Sequence, residues 1–442
     1  MNAVLLARLQ FALTAGFHFL YPPTTLGLSL VILMVETLSL RGRREEYREL
    51  NAFLVKLLGA LFVVGTATGI TLEFAFGTNW AEYSRTVGNL FGPFLAAEGI
   101  FAFFLESVFL GVLLFGRSRV SARGYWWSTL FLFLGSHLSA LWILVANSWM
   151  QTPRGYRMEG KIAVLENFWE ALFNPSTLIR FAHTLSASWV TGSLVCAAIG
   201  AWLILKGSRK DHGKRLLRIS LFLFAFSGVL QLFLGHGHSV QVARTQPEKM
   251  AAFEGLWETQ RGAPLSLFGI PDQKGEKTRL SLGVPNMLSL LTTGDPEAEV
   301  KGLKEYPRED RPPVFLSFAA YHVMIGLGSL FFLGALFALY FLKVKGEEYP
   351  SWFLKALLFS VPLSYIANEA GWVAAEVGRQ PWVIYHVLRT SQAASVNVPA
   401  WQVLLTLSLF TLLYLFLFVI FLKVTFGIVL RFSRGEGQGE GY

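Results

Sequence analysis

Residues 401–422 read WQVLLTLSLFTLLYLFLFVIFL, an uninterrupted run without a charged side chain. A helix of about 20 predominantly apolar residues is long enough to cross the hydrocarbon core of a bilayer. Further runs of this kind lie near 9–39, 52–74, 93–115, 125–147, 178–205, 216–235, 314–342 and 352–376. The sequence therefore predicts an all-α, polytopic membrane protein, a bundle of about nine transmembrane helices.

The composition excludes several other classes of protein. Of 442 residues, 53% are hydrophobic and only 15% are charged, whereas soluble domains carry about 25% charged residues. This excludes a soluble enzyme and a disordered chain. The formal net charge of +9 comes from basic residues in short loops, a pattern that orients membrane proteins rather than one that binds nucleic acid. Because Cys196 is the only cysteine, the sequence offers no disulfide framework and no thiolate metal cluster.

The basic residues of the loops predict how the chain is oriented in the membrane. They gather in alternate loops and in the tail, whereas the remaining loops offer only Arg85 or the pair Arg379 and Arg389. The basic set consists of Arg41, Arg43, Arg44, Arg48, Arg117, Arg119, Arg123, Lys206, Arg209, Lys210, Lys214, Arg215, Arg218, Lys343, Lys345, Lys355, Lys423, Arg431 and Arg434. Because Lys and Arg are enriched in cytoplasmic loops, we expect the N-terminus outside and the C-terminus inside. An odd number of spans is consistent with both placements.

One long connection divides the chain into three parts. Residues 1–235 hold the first six predicted spans, 236–313 form an outer loop, and 314–442 hold the last three spans and a cytoplasmic tail. A connection of this length is usually either functional or disordered. Trp257 and the apolar patch at 265–268 favour a folded, functional loop.

Eight titratable residues lie inside the predicted spans, where ionisable groups are costly and often functional. They are His18, Glu98, Glu106, His137, His183, His322, Glu369 and Glu376. A hydrogen bond between helices would explain any one of them, but eight together indicate a site. At about 1.5 Å per residue, His18 lies roughly 14 Å, His183 roughly 8 Å and Met324 roughly 15 Å from the outer end of its span. Glu98 and Glu376 also lie toward the outer side, as a cofactor site in a bundle core requires.

The types of these side chains favour haem as the cofactor. Imidazole, thioether and carboxylate ligands on separate helices, without cysteine, suit haem iron. Pro22 cannot donate a hydrogen bond to the carbonyl of His18, so we expect a kink there, with or without a functional role. His236 and His238, at the start of the outer loop, form a second pair that could bind a metal.

The chain resembles subunit I of the cytochrome bd-type quinol oxidases over nearly its whole length. The resemblance is carried by RLQFALTA at 8–15 with His18, EFAFGTNW at 73–80, EGIFAFFLE at 98–106, LSALWILVAN at 138–147, WETQ at 257–260, FGIPDQ at 268–273 and EAGWVAAEVGRQPW at 369–382. A single short motif would be weak, but this ordered series in the expected spans is specific.

The resemblance implies a terminal respiratory oxidase, a quinol:dioxygen oxidoreductase in the cell membrane. It would oxidise quinol at the outer face and reduce dioxygen to water, generating a proton motive force without pumping. It would hold two b-type haems and a third haem of d or b type. His183 and Met324 resemble the axial pair of the low-spin haem b. His18 and Glu376 resemble the single ligands of the two high-spin haems. Which of the two residues serves which high-spin haem is left open. Arg379 is counted among the cofactor-binding residues.

The resemblance also implies a quinol site, a proton route and partners. Lys249 and Glu254 match quinol-binding positions of the outer loop, which is of the short type and leaves the choice between ubiquinol and menaquinol open. Glu98 matches a position that, by the resemblance, lies near the high-spin haems. Glu98 and Glu106 lie about two turns apart and could relay protons, as intramembrane carboxylates do. The expected partners are a second membrane subunit and, in some assemblies, a small single-span subunit. His236 and His238 have no assigned role.

Two rival functions follow from the same residues. One is a haem-b electron-transfer subunit that passes electrons from quinol to a partner protein; it needs only haems with two protein ligands, so His18 and Glu376 without obvious mates argue against it. The other is a proton-coupled transporter, which would bind no haem.

Overall fold

Long helices make up most of the computed structural model, which describes residues 2–42, 44–344 and 348–436. Arg43 and Lys345, counted above among the basic loop residues, and the end of the tail at 437–442 lie outside these ranges. The helices are α1 (Ala3–Phe19), α2 (Pro22–Leu40), α3 (Arg44–Asn79), α4 (Ala81–Ala97), α5 (Phe104–Phe115), α6 (Ala122–Gln151), α7 (Phe168–Leu172), α8 (Thr177–Lys206), α9 (Lys210–Thr245), α10 (Pro247–Glu254), α11 (Met287–Thr293), α12 (Val314–Lys343), α13 (Ser351–Val377), α14 (Thr390–Ala393) and α15 (Ala400–Arg434).

The prediction of an all-α membrane bundle is confirmed. Eight helical segments within the described ranges are long and apolar enough to cross a membrane, the first of them formed by α1 and α2 together. The remaining predicted span, 352–376, corresponds to α13, a helix of 27 residues. It is not among the eight, and its sequence contains Lys355, Asn368 and Glu369 within the apolar part. That α13 crosses the membrane therefore stays a prediction.

The expected disturbance at Pro22 is a break between two helices. Helix α1 ends at Phe19 and α2 begins at Pro22. Because Pro22 lacks an N–H, the carbonyl of His18 accepts a hydrogen bond from the N–H of Tyr21 instead, at 3.1 Å. The break places His18 in the last turn of α1.

Two helices differ in extent from the sequence prediction. The predicted second span, 52–74, belongs to a helix that runs on to Asn79, and α4 begins at Ala81, so a break at Trp80 replaces the expected loop. Helix α9 continues to Thr245, so its last ten residues, 236–245, fall within the predicted outer loop. His236 and His238 are therefore helical residues.

The long outer connection is folded, as predicted. Strands β4 (Leu265–Asp272) and β5 (Lys277–Val284) form an antiparallel hairpin, and β3 (Gln260–Arg261) pairs with β6 (Glu299–Val300). Two further short hairpins lie outside this connection, β1 (Tyr156–Glu159) with β2 (Ile162–Leu165) and β7 (Trp382–Ile384) with β8 (Leu388–Arg389). Trp257 is buried in the core of the folded loop, whereas Leu267 and Phe268 are exposed on the hairpin.

Close contacts between helix backbones hold the bundle together. A Cβ on Gly27 of α2 would lie 2.6 Å from the Cα of Gly192 of α8, so these helices touch without side chains between them. Helices α8, α9, α12 and α13 pack on one another as a four-helix unit below the folded loop. The proposed haem ligands lie on helices of this unit and on α1, Glu98 and Glu106 lie in α5 and the turn before it, Lys249 and Glu254 lie on α10, and Arg379 follows α13.

Candidate functional site

His18 is oriented by α3. Its Nδ1 lies 3.0 Å from the hydroxyl oxygen of Thr68, and that hydroxyl can give its own hydrogen to the carbonyl of Val64 at 2.9 Å or of Gly65 at 3.0 Å. In this arrangement Nδ1–H of His18 donates to Thr68, and Nε2 keeps its lone pair. Histidines that bind metals commonly donate their other ring N–H in this way. A Cβ on Gly69 would lie 3.2 Å from Cε1 of the ring, so glycine at this position leaves the imidazole room.

His183 lies in the second turn of α8 and faces α9. The side-chain nitrogen of Gln231 lies 3.2 Å from each ring nitrogen of His183. The ring of His238 meets the His183 ring edge-on, with centroids 5.2 Å apart. A Cβ on Gly235 would lie 3.6 Å from Cε1 of His183. Residues 231, 235 and 238 are spaced four and three apart, so one face of α9 surrounds this histidine.

Met324 extends from α12 toward α13. A Cβ on Gly371 would lie 3.0 Å from the sulfur of Met324, a distance at which the sulfur could not stay in place. Met324 on α12 and His183 on α8 belong to the same four-helix unit. A thioether and an imidazole from two helices of one bundle are suitable axial ligands for a haem iron.

Glu376 lies in the last turn of α13 and is hydrogen-bonded by side chains of other segments. Asn147 Nδ2 and Gln151 Nε2, both from α6, lie 3.0 Å and 3.3 Å from Oε1 of Glu376. The guanidinium of Arg379 forms an ion pair with Oε2. Arg180 of α8 donates in turn to Oδ1 of Asn147. The carboxylate is thus fixed within a buried polar cluster that also contains the predicted residue Arg379.

This cluster contains more buried cations than carboxylates. Arg379, Arg180 and Lys249 are 4%, 6% and 2% exposed, and the carboxylates of Glu376 and Glu248 lie near Lys249. Nε of Arg180 and both Nε and Nη1 of Arg379 are buried without a hydrogen-bond partner among the described residues. Unpaired buried cations are costly, so the cluster fits an anionic group that is not part of this chain. Carboxylate side groups of a haem have this chemistry.

Lys249 belongs to this cluster rather than to the environment of Glu254. Its ammonium donates to the side-chain oxygens of Gln151 at 2.7 Å and Gln246 at 3.1 Å. Burial, and then the neighbouring cations, lower the pKa of Lys249 well below its usual range. A carboxylate bound nearby would raise that pKa again. The two residues predicted for the quinol site thus lie on different sides of α10.

Glu254 lies beside a cavity of about 320 Å³ within the folded loop, whose lining includes Trp257, Ser266 and Thr278. Its Oε2 accepts a hydrogen bond from the N–H of Ser266 at 2.8 Å, while Oε1 is buried without a partner in the described part of the chain. Burial raises the pKa of Glu254 to about 8, although the Ser266 N–H opposes this shift. A carboxyl group of this kind can exchange a proton with a ligand in the cavity near neutral pH.

Glu98 and Glu106 both bond to serines of α6. Ser139 Oγ lies 2.7 Å from Oε1 of Glu98, and Ser136 Oγ lies 2.7 Å from Oε1 of Glu106. The two serines are three residues apart and therefore adjacent on one face of α6. Ser136 Oγ also lies 3.1 Å from the carbonyl of Leu132. It can donate to that carbonyl while accepting from a protonated Glu106, or donate to Glu106 once that residue has lost its proton.

A π-helical segment, Glu98–Phe103, separates these two carboxylates. It interrupts the α-helical run between α4 and α5, where the sequence predicts one continuous span. Such wide turns are rare and frequently lie at functional sites. Here the wide turn begins at Glu98 itself and faces α6.

The remaining titratable residues within the spans differ in their surroundings. The indole N–H of Trp189 donates to Nε2 of His137 at 3.0 Å, so Nδ1–H of His137 donates to the carbonyl of Phe133 at 2.8 Å. His137 is thus fully hydrogen-bonded and fits the helix-to-helix explanation. Glu369 has one buried oxygen, Oε1, without a partner in the described ranges. Its other oxygen lies 3.3 Å from where a Cβ on Gly16 would be.

His236 and His238 do not form a metal pair. His236 is exposed and His238 packs on His183. Within residues 2–42, 44–344 and 348–436, no group of three or more His, Cys, Asp or Glu side chains is arranged to hold a metal ion. The alternative of a metal site at the start of the outer loop gains no support.

Several polar side chains around the predicted residues were missed by the sequence analysis. They are Thr68, Ser136, Ser139, Arg180 and Gln231, each hydrogen-bonded to a predicted site residue or to its partner. Arg180 could have been found, because it is a charge within the predicted span 178–205. Ser139 lies in the quoted stretch 138–147. The others are single polar residues in apolar helices, and nothing local marks them.

Comparisons with known proteins find a matching family and similar chains. The profile of the family described as "Cytochrome bd terminal oxidase subunit I" matches residues 6–431. Among characterised relatives, "Cytochrome bd-II ubiquinol oxidase subunit 1" of Escherichia coli (strain K12) is 36% identical, with 92% of this chain and 93% of that protein aligned. "Cytochrome bd ubiquinol oxidase subunit 1" of Bacillus subtilis (strain 168) is 34% identical over 94% and 91% of the two chains.

A solved structure has the same fold. The bd oxidase from Geobacillus thermodenitrificans superimposes with a TM-score of 0.90 at 30% identity, covering 98% of this chain and all of that one. The likeness therefore extends over the helical bundle and the folded outer loop together.

Proposed function

The chain belongs to the cytochrome bd terminal oxidase subunit I family, and from that premise we propose that it is the haem-bearing, quinol-oxidising subunit of a quinol:dioxygen oxidoreductase. It would oxidise quinol at the folded outer loop and reduce dioxygen to water within the bundle. The protein is a multi-pass protein of the cell membrane, in keeping with its family and its eight long apolar helices.

The buried cationic cluster around Glu376 carries this proposal. Three buried donor nitrogens of Arg180 and Arg379 have no partner within the described residues, which is costly in a dry interior unless an anion lies beside them. A transporter carboxylate relay does not need such donors, and it would not need the open Nε2 of His18. A porphyrin with carboxylate side groups and a central iron would use both.

The proposed ligands follow from the surroundings of each side chain. His183 and Met324 would hold the low-spin haem b, and His18 and Glu376 would each supply one ligand to a high-spin haem. When bound, these groups carry electrons from quinol and bind dioxygen at an open iron position. Thr68 fixes the tautomer of His18, and Asn147 and Arg379 fix the carboxylate of Glu376.

Proton delivery would follow the carboxylates along α6. Glu106 is 8% exposed and bonds to Ser136, and Glu98 bonds to Ser139 one turn further along. Ser136 can switch between donating to Glu106 and accepting from it, as a relay requires. Protons would enter from the inner side and reach the oxygen-reducing region past Glu98.

The quinol site would lie at the cavity beside Glu254. A volume of about 320 Å³ is within the range of small-ligand sites, and the free Oε1 of Glu254 can accept a proton from a quinol hydroxyl. Lys249 belongs to the neighbouring cation cluster and would lie on the side of α10 that faces the cofactor. Protons released at the outer loop and taken up from the inside would build a proton motive force without a pump.

A second membrane subunit is implied by the family, in which this chain is subunit I. We propose that it covers part of the apolar surface of the bundle. The span Ala81–Phe115 exposes large apolar side chains at Phe101, Phe104 and Phe115. A small single-span subunit is proposed separately, as a further partner.

One experiment tests the proposed function against its rivals. The oxidase is purified, a reduced-minus-oxidised difference spectrum is recorded, and oxygen uptake is measured on adding a short-chain quinol. We expect haem bands and rapid oxygen uptake. Haem bands without oxygen uptake would support the electron-transfer subunit, and a haem-free protein would support the transporter.

A further inference from the structure

His322 of α12 touches the folded outer loop directly. Its Nε2 lies 2.9 Å from the carbonyl oxygen of Ser266 in β4. Its Nδ1 lies 2.9 Å from the carbonyl oxygen of Phe318, one turn earlier in α12, and the ring stacks on Phe318 with centroids 3.8 Å apart. The stacked ring therefore has Nε2 directed at the loop. Since a neutral imidazole has a single N–H, the Nε2–H tautomer is the one that donates to Ser266.

Ser266 holds Glu254 on its other side. The N–H of Ser266 donates to Oε2 of Glu254 at 2.8 Å, and the Ser266 hydroxyl donates to the backbone oxygen of Glu254 at 2.7 Å. His322 and Glu254 are thus joined through a single residue. A shift of β4 away from α12 would move the carboxylate of Glu254 with it.

The contact is separate from the environment of Met324, although the two residues are close in sequence. Residues two apart in an α-helix point about 200° apart. His322 faces Ser266, whereas the sulfur of Met324 faces Gly371 of α13. A substitution at His322 can therefore disturb the loop without removing the thioether.

We propose that His322 is a positioning residue of the quinol site. Its hydrogen bond to Ser266 holds the β4–β5 hairpin against α12 and so sets the carboxylate of Glu254 beside the cavity. The inference rests on the proposed function, since the role of Glu254 in binding quinol is itself proposed. His322 is not among the residues that line the cavity and contacts the lining residue Ser266, so its effect on quinol is indirect.

The test compares three variants of the purified oxidase. His322→Leu removes the donor, and His322→Gln keeps an amide N–H that can reach the same carbonyl. His236→Leu is the matched control, because His236 is an exposed histidine of α9. With a short-chain quinol, we expect His322→Leu to raise KM about tenfold, as the loss of one buried hydrogen bond predicts. His322→Gln should recover most of this loss, and His236→Leu should match the parent.

Two further measurements separate positioning from general damage. Trypsin should cleave the hairpin faster in His322→Leu, at exposed sites such as Lys277 and Arg279, and His322→Gln should restore the parent rate. The low-spin haem spectrum should not change in any variant. An unchanged KM in His322→Leu, an equal loss in His322→Gln, or an altered low-spin spectrum would overturn the inference. A parent enzyme that does not oxidise quinol would instead refute the proposed function. The trypsin comparison would still test whether His322 holds the β4–β5 hairpin against α12.

Discussion

Each proposed haem ligand on α1, α8 and α12 faces a glycine of a neighbouring helix. The pairs are His18 with Gly69, His183 with Gly235, and Met324 with Gly371. In each pair a Cβ on the glycine would lie 3.0–3.6 Å from the ligand side chain. A Cβ in place of Gly69 or Gly371 would displace the ligand side chain, whereas at Gly235 it would make an ordinary van der Waals contact. Glycine at these positions therefore leaves the ligands room.

Met324→Leu tests the low-spin ligand pair. Leucine keeps nearly the same volume but removes the sulfur, so packing against Gly371 should survive while the axial bond is lost. We expect the low-spin haem to become five-coordinate or to be lost, and quinol oxidation to fall steeply. The check is the reduced spectrum together with haem content. An unchanged low-spin spectrum would remove Met324 from the assignment.

Glu106→Gln tests proton delivery. Glutamine keeps the size of the side chain and can still bond to Ser136, but it cannot release a proton. Quinol should still reduce the low-spin haem, while turnover with oxygen slows at least tenfold, about 1.4 kcal/mol in the barrier. Glu82→Gln is a suitable control, because Glu82 forms an ion pair with Arg85 away from the site. Normal oxygen consumption with intact haem would mean that Glu106 only links α5 to α6.

The pH dependence of quinol oxidation tests Glu254. Burial raises the pKa of this carboxyl to about 8, so the ionised form becomes populated as the pH rises through that value. If the ionised form accepts the quinol proton, kcat/KM should rise with pH and level off above about 8. Charged groups lining the same cavity are Glu258, Glu276 and Lys277. Glu254→Gln should abolish the rise, and a Glu254→Gln enzyme with the parent profile would assign the pKa elsewhere.

Sequence reasoning could single out the proposed site residues but not the side chains that support them. His18, Glu98 and Glu376 are conspicuous because charge and imidazole are rare in apolar helices. Thr68 and Gly69 carry no such signal, since their role depends on which face of α3 meets α1. That choice is made by packing between helices distant in sequence.

At the level of helices and strands, local chemistry explains one break and not another. The break between α1 and α2 follows from Pro22. The π-helical turn at Glu98–Phe103 contains no proline, and its sequence reads as ordinary apolar helix. The segment packs closely on α6, where a Cβ on Gly135 would lie 3.4 Å from the carbonyl oxygen of Ala102 and 3.0 Å from the amide nitrogen of Glu106.

Cutting the outer loop tests whether the hairpin builds the quinol site. The turn at 273–275 joins β4 to β5, and Gln273 also bonds to the N–H of Val314 at 3.2 Å, the first residue of α12. A cut there should free the hairpin and abolish quinol oxidation, while haems in the bundle stay bound. Oxygen uptake and haem content are measured together.

A second cut serves as the control for that experiment. Gly160, in the exposed turn of the β1–β2 hairpin, lies in a different connection and can be opened by the same protease site. Cutting there should leave quinol oxidation intact. Equal loss of haem and activity after the cut at 273–275 would mean that the loop is merely structural.

For the whole molecule, the number of spans and the placement of the termini are linked. Eight crossings would put both termini on one side, whereas the distribution of Arg and Lys requires opposite sides. A ninth crossing by α13 would place the two termini on opposite sides of the membrane. Its polar residues make it less apolar than the others, yet they include Glu376 and Glu369, the groups that a buried cofactor site would use. These polar residues explain why α13 is not among the eight apolar segments, although the run at 352–376 is long enough for a span.

Labelling of single cysteines tests this topology. Cys196 is fully buried, so the native chain provides a silent background for a membrane-impermeant maleimide. Val396 follows α13 and is 80% exposed, and Val120 lies between α5 and α6 and is 37% exposed. If α13 crosses and the N-terminus is outside, Val396→Cys should be labelled in intact cells, and Val120→Cys only after the membrane is opened. Labelling of both positions from the same side would contradict the nine-span arrangement, and with it the proposed release of quinol protons to the outside.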